Sequence, residues 1–102
     1  MRPVVSRRSV FRFRLYVAGE AQNSVQAIAN LSALCRMHLP GRHHIEIVDV
    51  FREPKRALAD GIFMTPTLLR LAPSPAVRIV GTLSQMQLVL QALGLESLPL
   101  AA

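Results

Sequence analysis

Phe11-Arg12-Phe13-Arg14-Leu15-Tyr16-Val17 is the stretch on which the fold turns. Phe11, Phe13, Leu15 and Val17 share one side of an extended chain, and Arg12, Arg14 and Tyr16 share the other. A period of two predicts a β-strand, and Ala18-Gly19 ends it. A second strand is predicted over residues 45–51, β-branched and mostly apolar as a buried parallel strand is. About 27 residues separate the two, enough for a full helix, so the strands should be parallel in a βαβ unit.

The intervening helix should begin at Asn23 or Ser24 as N-cap, with Gln26 completing a capping box. Val25, Ile28, Ala29, Leu31, Cys35 and Leu39 fall on one broad face at 100° per residue. Leu34 and Met37 fall off that face. They mark either a wide helix contact or a partner surface, and are candidate partner-binding residues. Pro40-Gly41 stops the helix.

Pro54 opens a short helical stretch over residues 54–60, because proline is tolerated in a first helical turn. Met64-Thr65-Pro66-Thr67-Leu68-Leu69 reads as a loop entering a strand. Residues 67–71 and 76–80 can pair as a hairpin around Pro73-Ser74-Pro75. After Gly81, Ser84 should cap a last helix, with Gln87 completing a second capping box and Gly94 as C-cap. The order is βαβ, short helix, ββ, α, that of a thioredoxin-like fold. Residues 1–10 read as a basic arm, 11–96 as the domain and 97–102 as a short tail.

A chain of 102 residues has room for one domain. With 51% hydrophobic and 18% charged residues it is not a disordered sequence. No apolar run reaches membrane-spanning length, and no apolar core follows the charged N-terminus as in a secretory leader. The cytoplasm is therefore the expected compartment. The net charge of +6 invites a nucleic-acid partner. However, the arginines are scattered and the chain has one Tyr and no Trp on which bases could stack. Nucleic-acid binding is thus a lesser alternative.

No catalytic, metal or cofactor site is expected. A thioredoxin-like fold keeps its reactive thiol at the start of the first helix, where the helix dipole lowers the thiol pKa. Here that loop is Ala18-Gly-Glu-Ala-Gln-Asn-Ser, without cysteine, and Cys35 lies about three turns further on. Ser24 could be the hydroxyl of a glutathione-transferase-type domain, but the acid such a site uses is missing from Gly81-Thr-Leu-Ser. His38, His43 and His44 straddle Pro40-Gly41 without acidic or thiolate company, which a metal site needs. The six acids show no spacing suited to general acid–base work. Pro66, between two threonines at a strand entrance, stands where thioredoxin-like folds carry a cis-proline.

Five motifs in order, Leu15-Tyr-Val-Ala-Gly, Asn23-Ser-Val, Ile47-Val-Asp-Val, Thr65-Pro-Thr-Leu and Arg78-Ile-Val-Gly-Thr-Leu-Ser, resemble the KaiB family of small circadian-clock proteins. The resemblance spans about residues 11–95. It implies a non-enzymatic protein that binds a KaiC-like ATPase of the RecA class, for which a SasA-like histidine kinase competes. It also implies a metamorphic chain. One state is a thioredoxin-like βαβαββα monomer; the other is a βαββααβ ground state that assembles as a dimer or tetramer. Pro66, Pro73 and Pro75 match the prolines implicated in refolding, and Gly81, Ala92 and Gly94 mark the switch region. Gly61 matches a basic residue that KaiB proteins use toward KaiC. The chain departs from the family in having Ser74 within the proline run, Thr82 where an acid is usual, Ala92 and Gly94 where a glycine and an aspartate are usual, and no acidic tail.

Overall fold

The computed structural model describes residues 9–95; residues 1–8 of the arm, residue 96 of the domain and the whole tail, 97–102, lie outside them. Seven elements follow in the order β1 (Phe11–Val17), α1 (Gln22–His38), β2 (His43–Asp49), α2 (Pro54–Ala59), β3 (Thr67–Ala72), β4 (Val77–Val80) and α3 (Met86–Leu93). The strands form one sheet in the order β2-β1-β3-β4. β1 and β2 are parallel, with Phe11 opposite His43 and Val17 opposite Asp49. β3 lies antiparallel to both β1 and β4. This is the expected βαβαββα arrangement.

Alternation along β1 decides which side is which. Phe11, Phe13, Leu15 and Val17 enter the main core with Leu68 of β3, with Leu31, Leu34 and Cys35 of α1 and with Val89, Leu90 and Leu93 of α3. Tyr16 points the other way, into a smaller cluster with Val48, Leu69, Ala57 of α2 and Ile62. One face of the sheet is therefore covered by two helices, and the other by a helix of 6 residues.

Several local expectations are corrected. β2 runs over His43–Asp49, two residues earlier than its apolar pattern suggests, because β1 sets its register. It is an edge strand, not a buried one; only Val48 is fully buried and Ile47 is 46% exposed. α1 starts earlier than either proposed cap, with Ala21 at the N-cap and no side-chain cap. Ser24 is buried and accepts a hydrogen bond from the Ala18 N–H at 3.0 Å, so it ties the strand end to the helix. Ser84 does not cap α3 either; Gln85 holds the N-cap position and the Ser84 hydroxyl meets Thr82 Oγ1 at 3.0 Å. Between them Leu83 sits at φ 63. A left-handed leucine costs on the order of 1–3 kcal/mol, offset by burial of its side chain in the main core.

Leu34 is also corrected. It is 1% exposed in the main core, so it presents no surface in this fold, and the wide-contact reading holds for it. Val25, assigned to the apolar face, is instead solvent-exposed. The buried stripe is thus turned from Val25 toward Ala27, Leu31 and Leu34, which share the main core with β1 and α3.

Candidate partner-docking site

α2 is too short to be stable alone, since helices below about 12 residues are marginal in water. It buries only Ala57, so apolar contact contributes little to its position. Polar ties from three strands hold it instead. The Tyr16 hydroxyl lies 3.2 Å from the Arg56 carbonyl and donates to the Asp60 carboxylate. Arg14 from β1 reaches both Glu46 Oε1 at 2.8 Å and Asp60 Oδ2 at 3.0 Å. Arg56 of α2 meets the other Glu46 oxygen at 2.8 Å. From the far edge of the sheet, Arg78 donates to the carbonyls of Asp60 and Gly61 at 2.7 and 2.8 Å.

This cluster sets the electrostatics of the outer face. The hydrogen bond from Tyr16, then that from Arg14, holds the Asp60 carboxyl below its usual range. Arg14 and then Arg56 do the same for Glu46. Burial, then the Asp60 carboxylate, pushes the Tyr16 phenol up to about 12. The ions are mutually neutralised and hydrogen-bonded, as a partly buried group of charges must be. Charge here is structural: it fixes the seat of α2.

What the seat presents outward is apolar. Phe51 is 75% exposed before α2, Leu58 73% exposed on it, and Phe63 and Met64 are 90% and 65% exposed after it. Single exposed apolar side chains are ordinary; here four large ones fall on one short helix and its two flanking turns, which makes this region the candidate docking surface.

The sequence candidates do not converge on one spot. The Thr65–Pro66 peptide is cis, as expected at this strand entrance, and Ala72–Pro73 and Ser74–Pro75 are cis too. The Pro66 carbonyl accepts the Gly81 N–H at 2.9 Å, which brings those two candidates together. Pro73 and Pro75 lie at the far end of the hairpin. Ala92 borders a cleft of about 540 Å³ between β4 and α3, and Gly94 ends α3 in the left-handed region. Gly61 follows the C-cap of α2 with φ 66. Met37 is exposed on α1, away from α2.

A second cleft, of about 670 Å³, lies at the ends of β1 and β2 and is lined by Val17, Gly19, Ile28, Ile47 and Asp49. Gly19 and Glu20 at its rim belong to the loop between β1 and α1, which carries no cysteine. Cys35 is buried elsewhere, and burial raises its pKa to about 11, far from the value of a reactive thiolate. Among the described residues, no group of three or more His, Cys, Asp or Glu is placed to hold a metal ion. Several arginines are engaged within the fold: besides Arg14, Arg56 and Arg78, Arg42 meets the Ser9 carbonyl and Arg70 those of Leu93 and Pro75.

Sequence reasoning missed Phe51, Leu58, Phe63 and Met64, together with the charges that hold them. The available signal was Phe63-Met64 next to a helix too short to cover it.

A family model described as the KaiB domain matches residues 14–95. The chain belongs to the KaiB family. It is 42% identical over 86 residues to the circadian clock protein KaiB3 of Synechocystis sp., covering 84% of this chain and 82% of that one. It is 37% identical over 91 residues to the circadian clock oscillator protein KaiB of Synechococcus elongatus, covering 89% of each. Among solved structures, the N-terminal domain of Synechococcus elongatus SasA is similar with a TM-score of 0.62 at 19% identity, covering 95% of this chain and 94% of that one. The Drosophila melanogaster thioredoxin Deadhead is similar at 0.68 and 12% identity, covering 88% and 85%. These structural likenesses establish the thioredoxin-like fold. In this KaiB-family chain the single cysteine is buried within α1 rather than at its start, and the segment around α2 exposes Phe51, Leu58, Phe63 and Met64.

Proposed function

We propose that this KaiB-family chain is a non-enzymatic regulatory protein that docks on a KaiC-like ATPase of the RecA class through α2 and its flanking turns. It acts in the cytoplasm, in circadian-clock or related stress signalling, and stabilises one conformation of the ATPase. The observation that carries the reading is the exposed set Phe51, Leu58, Phe63 and Met64, held outward by the charges beneath α2. A SasA-like histidine kinase sensor, whose fold is similar, competes for the same ATPase. The reading also includes a second, oligomeric βαββααβ state, in which the segment containing Pro66, Pro73, Pro75, Gly81, Ala92 and Gly94 repacks.

Incubating the full-length protein for a day with a KaiC-like ATPase and ATP, then isolating the ATPase, should recover a complex. Absence of a complex after that incubation sinks the reading. NMR of the free protein should show two slowly exchanging sets of resonances; one set across temperature and dilution would remove the second state.

A further inference from the structure

Arg78 stands on β4, an edge strand, yet its guanidinium crosses to the end of α2. Its partners are backbone carbonyls, not acids: Asp60, the C-cap residue of α2, at 2.7 Å and Gly61 at 2.8 Å. The last carbonyls of a helix have no acceptor role within it and carry the negative end of the helix dipole. A cation bound to two consecutive carbonyls there is a C-cap supplied from another element.

The local chain is shaped for this contact. Asp60 takes φ −90 and ψ 4, and Gly61 follows at φ 66, a conformation that strains any residue with a Cβ. The same turn is closed by the Gly61 N–H to the Leu58 carbonyl at 3.0 Å and the Ile62 N–H to the Ala57 carbonyl at 2.8 Å. Phe63 and Met64 come next in the chain, so the direction in which they leave α2 is set at this turn. Arg14 and Tyr16 hold the Asp60 side chain from beneath, and Tyr16 meets the Arg56 carbonyl, but the described bonds to the Asp60 and Gly61 carbonyls come from Arg78.

We infer that Arg78 is a positioning residue for the docking surface: it caps α2 from β4 and fixes the turn that presents Phe63 and Met64. The inference about docking rests on the function proposed above; the inference about the cap does not. Removing Arg78 leaves no acid unpaired, since both of its described partners are carbonyls that water can reach, so the domain should remain folded.

The test has two arms on the full-length chain. In the free protein, hydrogen exchange at the Gly61 and Ile62 amides should quicken about three- to tenfold in Arg78→Met, the size expected for losing two charge-assisted bonds to an exposed turn. Exchange in β1 and β3 should stay unchanged, and Arg78→Lys should restore part of the protection. Unchanged exchange at Gly61 and Ile62 overturns the cap. In the second arm, affinity for a KaiC-like ATPase is measured for Arg78→Met, Phe63→Ala and the double variant. If Arg78 acts through Phe63, the double variant loses less than the product of the single losses; multiplicative losses overturn the positioning role. A wild-type chain that does not bind defeats the proposed function, while the exchange result still judges the cap.

Discussion

Leu34 and Met37 lie on the same helix, three positions apart, yet one is 1% exposed and the other 73% exposed. One turn of α1 thus separates the core from solvent. Leu34→Ala should cost about 2–5 kcal/mol, the usual loss for emptying a packed leucine site. Met37→Ala should stay within about 0.5 kcal/mol of wild type. Denaturant midpoints check both, and equal midpoints would contradict the packing of α1. Cys35 makes a related case. Its thiol is buried and its pKa pushed up to about 11, so labelling near neutral pH should follow unfolding. Rapid labelling of the native protein would show that the helix face is open.

At the scale of elements, α2 is the piece whose stability depends on charge. The Asp60 and Glu46 carboxyls are held below their usual range by Tyr16, Arg14 and Arg56. The unfolded chain therefore binds more protons than the folded one as pH falls through the ordinary carboxyl range near 4. Stability from these groups is complete above that range and is lost as pH drops through their lowered folded values. Asp60→Asn should flatten the acid side of the stability curve relative to wild type. An identical pH dependence in the variant would remove Asp60 as a contributor.

Elements with a long periodic pattern were legible in the sequence: β1, α1, the β3–β4 hairpin and the Gly94 terminus. The starts of α1 and α3 were not, because Ser24 and Ser84 have local partners, Ala18 and Thr82, that compete with capping. The edge position of β2 was hidden as well. Its apolar residues suit a buried strand, and only the sheet order leaves Ile47 partly in solvent. The docking surface was least legible. Its apolar side chains are seated by Arg14, Glu46, Asp60 and Arg78, which four separate segments bring together, and no spacing along the chain encodes that meeting.

Seen whole, the molecule is a sheet with unequal layers. α1 and α3 seal one face with the main apolar core. The other face carries a short helix seated on ions and hydrogen bonds, with its apolar side chains turned outward. That asymmetry suits the binding role proposed above, which needs no reactive thiol. It also separates binding from stability: Leu58→Ala and Phe63→Ala remove exposed atoms, so each should change stability by less than about 0.5 kcal/mol. The affinity of full-length Leu58→Ala/Phe63→Ala for a KaiC-like ATPase with ATP, beside wild type, is the most direct measurement. We expect at least a roughly tenfold loss, as for anchor residues of an interface, with the unfolding midpoint unchanged. Wild-type affinity in that variant would contradict the assignment of α2 and its turns as the docking surface.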